Sequence, residues 1–168
     1  PKQALCLEKS LICKLECLCA AQDEPWVVIL IAGLLCLLTH GVLRWSDAQR
    51  TREISLERDL ILGKSIMKRK AVLTPWVASW FGFTGRDWGA GFFAAMHALN
   101  MPGPDFLLLD PVSFVAVKPV DASYSTVINF MRMVLCRPSV GLSQHEALEL
   151  SLHSWRHLLP TLSTQLGL

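Results

Sequence analysis

Charge is scarce in this sequence. Asp, Glu, Lys and Arg make up 18% of the 168 residues and nearly cancel, leaving a formal net charge of +2. So small an excess lacks the basic totals of a dedicated nucleic-acid binder, and any such surface would have to be local. Six cysteines are present, but no Cys-x-x-Cys pair and no Cys/His set at zinc spacing, so no structural metal is expected. Four of the six (Cys6, Cys13, Cys17 and Cys19) lie in one leucine-rich stretch at helical spacing, which fits reduced thiols better than a disulfide framework. Internal repeats and low-complexity tracts are missing. The chain opens at Pro1 without the charged start, apolar core and cleavage site of a signal peptide, and reads as a fragment or an edited gene model. Tyrosine occurs once, at Tyr124.

What remains is apolar: 52% of the residues are hydrophobic, enough for one domain with a well-covered core and too few residues for two comfortable ones. Residues 4–19 place Leu7, Leu11, Leu15 and Leu18 on one face, with Glu8, Lys9, Lys14 and Glu16 between them, which predicts a helix. After Asp23-Glu24-Pro25, the run from Trp26 to Leu38 is apolar on every side and ends near Thr39-His40-Gly41, giving a buried helix or a membrane span. Glu53 to Leu56, Leu60 to Met67 and Ala71 to Val77, separated by Glu57-Arg58-Asp59 and Lys68-Arg69-Lys70, predict a three-stranded meander. Asp87 is placed to cap a helix through Phe92, Phe93, Met96 and Leu99. Residues 100–122 are proline-punctuated and read as mostly irregular. Ser123 or Ser125 can cap a helix through Val127 to Val134, and Ser143-Gln144-His145-Glu146 has capping-box spacing. The segment Leu152 to Leu166 is helix-like but contains Pro160. Trp76, Trp80 and Trp88 read as core or lid aromatics. The fold class is therefore α+β, mainly α, with a small three-stranded antiparallel sheet.

Two short motifs stand at the ends of this pattern. Gly41-Val42-Leu43-Arg44-Trp45-Ser46-Asp47 follows the buried helix, and His153-Ser154-Trp155-Arg156-His157 comes late. With the meander between them, their order resembles the catalytic domain of the tyrosine recombinases, the phage-integrase family, over roughly residues 26–168. That family has an arginine box at the end of a buried helix, then a small sheet with a catalytic lysine in the turn between its second and third strands, then a His-x-x-Arg-His box. The resemblance implies DNA breaking and rejoining, in site-specific recombination or integration of a mobile element. It implies Arg44, Lys68, His153, Arg156 and His157 as catalytic residues, with Asp47 and Lys70 supporting and no small-molecule cofactor. Residues 1–24 would be an N-terminal helix or a remnant of the family's DNA-clamping domain, and 25–168 a partial catalytic domain. The implied partners are double-stranded DNA and other recombinase protomers. The compartment would be the nucleus in a eukaryote and the cytoplasm or nucleoid in a bacterium.

The chemistry gives these residue types their reason. Attack on a phosphodiester gathers charge on the non-bridging oxygens, which two guanidinium forks can hold bidentately. His153 and Arg156 are three residues apart, so on one helix they share a face. A lysine on a hairpin turn suits protonation of the leaving 5′ oxygen, with Lys68 favoured over Lys70. Asp47, three residues after Arg44, is placed to orient it through a hydrogen-bonded pair. Between residues 44 and 70 there are eight Lys/Arg against four Asp/Glu, a local excess that would face phosphates. Taken singly, Arg-x-x-Asp is more often a surface salt bridge, and a Lys-Arg-Lys turn solvated charge. The family's nucleophilic tyrosine lies beyond the late box, whereas Tyr124 precedes it and reads as structural. The 168 residues would therefore bind but not cleave. A rival of another class is a single-pass membrane protein with its span near 26–43, since Val27 to Leu43 is nearly free of charge.

Overall fold

The computed structural model of the chain describes residues 8–67 and 71–167. Its elements run α1 (Lys9–Ala21), α2 (Trp26–His40), α3 (Trp45–Gln49), β1 (Thr51–Glu57), β2 (Leu60–Ile66), β3 (Leu73–Ser79), α4 (Trp88–Ala98), β4 (Leu109–Pro111), β5 (Val117–Asp121), α5 (Tyr124–Leu135), α6 (Gln144–Glu149), a 3-10 turn (Trp155–His157) and α7 (Leu158–Gln165). The fold is α+β and mainly α, with a three-stranded antiparallel sheet in the order β1-β2-β3.

The all-apolar run becomes α2, the axis of the core. Every residue from Val27 to Thr39 is buried, because α1, α4, α5, α7 and the 3-10 turn pack around it. Burying each large aliphatic side chain there contributes roughly 1.5–3 kcal/mol. Thr39, the one hydroxyl in this stretch, donates to the Leu35 carbonyl at 2.9 Å and so leaves no unsatisfied group. Among the described residues no helix is long and apolar enough to cross a membrane. The helix expected over residues 4–19 is observed from Lys9 to Ala21 as α1, and residues 4–7 lie outside the described residues. Its residues Leu11, Ile12, Leu15, Leu18 and Cys19 join the same hydrophobic cluster as α2. At its crossing with α4 the backbones nearly touch, and a Cβ on Gly91 would lie 1.9 Å from the Cys19 carbonyl oxygen.

The meander forms with Arg58 in the left-handed region (φ 54°) closing the β1–β2 turn. Ile61, Trp76 and Ala78 face the core. Ser65, fully buried, meets the Thr51 hydroxyl at 2.9 Å and accepts from the Trp76 indole at 2.7 Å, so the sheet's inner face carries one satisfied polar knot. Trp76, Trp80 and Trp88 are all buried.

Residues 100–122, expected to be mostly irregular, instead include an antiparallel ribbon of β4 and β5. What organises it is distant in sequence. The buried Gln49 amide, at the end of α3, donates to the Leu108 carbonyl at 2.9 Å and accepts from its N–H at 3.0 Å, imitating a strand partner just ahead of β4. Helix caps follow the sequence signals. Asp87 accepts from Ala90 N–H at 2.8 Å, Ser123 rather than Ser125 caps α5, and Ser143 with Glu146 forms a reciprocal capping box.

Pro160 does not kink a continuous helix over 152–166. It is the third residue of α7, in the first turn, where no intrahelical partner for its missing N–H is required. The late His/Arg motif consequently lies on a tighter turn ahead of the helix, with His153 just before that turn and Arg156 and His157 within it. Among the described residues the cysteines are free thiols: Cys13, Cys17, Cys19, Cys36 and Cys136.

Candidate functional site

Arg44 caps α3 with an extended backbone (φ −75°, ψ 151°) directly after α2 ends. The reversal is tight. Leu43 N–H bonds the Leu38 carbonyl at 3.1 Å, and the Leu43 side chain returns to the core. Val42 between them is held at φ 51°, a conformation that costs a β-branched residue roughly 1–2 kcal/mol. That strain is imposed by docking Leu43, and it leaves Arg44 exposed at a fixed exit from the core.

The other half of the site is anchored by Trp155, which is fully buried and donates its indole N–H to the Met131 sulfur on α5 at 3.3 Å. On either side of this anchor, His153, Arg156 and His157 meet at the surface. Arg156 Nη2 donates to His153 Nε2 at 3.4 Å, Arg156 Nε donates to His157 Nε2 at 3.3 Å, and the two Nε2 atoms are 3.1 Å apart.

Electrostatics joins the halves. Partial burial first, then the charges of Arg156, His157 and Arg44, hold the His153 imidazole below its usual range. Burial and the charge of Arg44 likewise lower Arg156, while Asp47 opposes them. The charge of Arg44 thus bears on His153 and Arg156 from far along the chain. Asp47 does not play the part expected of it. It is buried in α3, no ion pair joins it to Arg44, its Oδ1 has no hydrogen-bond partner, and its charge acts on Arg156. The reason is local: Asp47 N–H bonds the Arg44 carbonyl at 3.0 Å in the first turn of α3, which turns the carboxylate inward while Arg44 points out.

Among the described residues no carboxylate lies within 4.0 Å of the Arg44 or Arg156 guanidinium, although the same chain forms such pairs elsewhere, as at Arg137–Glu24 and Lys118–Asp110. The cluster is therefore a patch of unneutralised cationic donors fit to receive an anion. Lys68 and Lys70 lie outside the described residues. No group of three or more metal-ligating side chains is found among the described residues. Tyr124, read as structural, is half-exposed as the first residue of α5. A hollow of about 480 Å³ between α1 and α6, lined by Lys14, His145, Glu146 and Glu149 among others, shares no residue with the cluster.

One polar arrangement was not anticipated. Glu16 is fully buried, accepts from His40 Nε2 at 2.8 Å and from the Phe83 and Thr84 N–H groups at 2.9 Å each, and so ties the end of α2 to the loop before α4. His40 stacks on Trp88 at 5.6 Å. A signal existed: Ile12, Leu15, Glu16 and Cys19 share one helical stripe, so a carboxylate fell among inward positions.

Comparison of the chain with protein-family models, with curated proteins and with solved structures gave no match.

Proposed function

We propose that the Arg44–His153–Arg156–His157 cluster binds the phosphodiester backbone of DNA, and that the chain is part of a recombinase-like catalytic domain. The observation that carries this reading is the contact of Arg156 with two imidazoles, with no carboxylate ion-paired to it or to Arg44, whose charge lowers both His153 and Arg156. Two guanidinium forks match the oxygens of one phosphate and would stabilise the charge that gathers there when the phosphorus is attacked. Asp47 would favour the charged form of Arg156, and Lys68 or Lys70, which follow β2 in sequence, would stand as proton donor to the leaving oxygen. The partners on this reading are double-stranded DNA and further protomers. The cluster itself supplies no attacking hydroxyl, so these residues bind and stabilise rather than cut.

Fluorescence anisotropy with a short duplex tests it. The expected result is weak binding with little sequence preference that falls steeply with salt. R44A and R156A should each weaken it and lower the salt slope by about one. A duplex nicked to trap a covalent intermediate should yield no adduct with these 168 residues. Absence of binding at low salt, or binding indifferent to both substitutions, overturns the reading.

A further inference from the structure

Arg156 fixes the protonation state of its two neighbours. A guanidinium has donors and no acceptor, so the Nε2 atoms of His153 and His157, both in contact with it, must present lone pairs. Donation to both therefore favours the Nδ1–H tautomer of each uncharged ring. In that tautomer the two Nε2 lone pairs face each other across 3.1 Å. That arrangement is unfavourable by itself and is held by the charge of Arg156, to which both lone pairs point. The rings are edge to face, 4.7 Å between centroids.

We propose that anion capture at this cluster takes up one proton, shared between His153 Nε2 and His157 Nε2. The proposal rests on the reading of the cluster as a phosphodiester site. An incoming phosphate oxygen draws the Arg156 donors to itself and releases both imidazole lone pairs. One proton from solvent then converts the 3.1 Å contact into an N–H···N hydrogen bond of ordinary length and adds positive charge against the anion. A second proton is excluded, because two imidazolium rings would stand in contact beside Arg44 and Arg156.

The surrounding groups leave the histidine pair as the proton acceptor. Burial first, then the charges of Arg156, His157 and Arg44, disfavour the protonated form of His153 in the free protein. Asp47 from α3 acts on Arg156. Of the packed elements, α7 carries no ionisable side chain, α5 has Tyr124 and Arg132, and α2 has the buried Cys36 and His40, the latter bound by Glu16. A phosphodiester keeps its single negative charge across the imidazole range, so a pH slope in DNA binding belongs to the protein.

The experiment measures affinity of the whole chain for a short duplex at fixed low salt between about pH 5.5 and 8.5, with proton uptake counted by titration calorimetry in two buffers of different ionisation enthalpy. Affinity should fall with rising pH by up to about tenfold per unit, the limit for one proton. H153Q/H157Q should abolish this slope, whereas H97Q and H145Q, at exposed positions outside the cluster, should keep it. Binding with no slope or no proton uptake, or a slope that survives H153Q/H157Q, overturns the proton coupling and leaves DNA binding standing. No binding at any pH overturns both. Imidazole nitrogen spectra of the free, unsubstituted chain give a test that no folding defect can obscure. Both His153 and His157 should show the Nδ1–H form at neutral pH, and an Nε2–H on either ring overturns the proposal.

Discussion

Replacing Glu16 by alanine should be among the most damaging single changes in the molecule. The carboxylate is fully buried and satisfies three donors: the Phe83 and Thr84 N–H groups and His40 Nε2, all within 2.9 Å. The main chain closes over it so tightly that a Cβ on Gly82 would sit 2.0 Å from the carboxyl carbon. Each donor left without a partner costs about 1–3 kcal/mol, so E16A should lose roughly 3–9 kcal/mol. That is a large part of the roughly 5–15 kcal/mol that holds a domain of this size. E16Q keeps one acceptor oxygen but points an NH2 at another donor, and should lose about half as much. Urea unfolding followed by tryptophan fluorescence reads this directly, since Trp88 stacks on His40. The pH response has a definite sign. Burial alone would raise the Glu16 carboxyl, but hydrogen bonds from His40, Thr84 and Phe83 more than reverse this and hold it below its ordinary value. A depressed folded pKa means the contribution is complete above the ordinary carboxylate range, about 4.3, and is lost as pH falls through the folded value. The wild-type chain should therefore lose more stability than E16Q on acidification below that range. An E16A protein within 1 kcal/mol of wild type at neutral pH, with an unchanged dependence on urea, would refute the account.

Two further changes probe the scaffold. G91A places a Cβ 1.9 Å from the Cys19 carbonyl oxygen, and because the obstacle is backbone, α4 must move off α1, so a loss of about 3 kcal/mol or more is expected in the same urea titration. W155A removes the fully buried anchor beside Arg156 and should cost about 3–5 kcal/mol. In the remaining folded fraction, R156A should no longer weaken duplex binding, a double-mutant result checked by anisotropy.

How far the sequence discloses this molecule depends on the range of the interaction involved. Caps and turns are local, so Asp87, Ser123, Ser143 and the three-stranded meander could be read from spacing alone. The ribbon of β4 and β5 could not, because its organiser, Gln49, lies in a different element, and prolines at Pro111 and Pro119 argue locally against strands. Glu16 was misplaced for a different reason. A leucine stripe at positions 7, 11, 15 and 18 makes it look outward, whereas the buried face is centred on Ile12, Leu15 and Cys19. At the site, motif order singles out the residues but not the way they are arranged. His153 and Arg156 meet at a 3-10 turn rather than within a helix, and Asp47, which makes no ion pair with Arg44, favours the charged form of Arg156. Neither follows from a spacing of three. Each depends on where Trp155 and Leu43 are drawn into the core.

The placement of Arg44 and Arg156 bears on how an anion would be held. Arg44 leaves the end of α2 through a strained Val42, and the Glu16–His40 contact pins that same end from the opposite side. Arg156 follows Trp155, whose turn packs on α2. Both guanidinium groups are thus referred to one buried helix, and the distance between their backbones is set by core packing rather than by loops. Arg156 is lowered by burial first and then by the charge of Arg44, so part of the cost of holding these cations is borne by folding before any ligand arrives. On the proposed reading, an anion entering the site would relieve their repulsion instead of having to organise it. Its binding energy would then be available for the charge that develops on the phosphate oxygens, which is the condition under which fixed donors favour a transition state over its ground state.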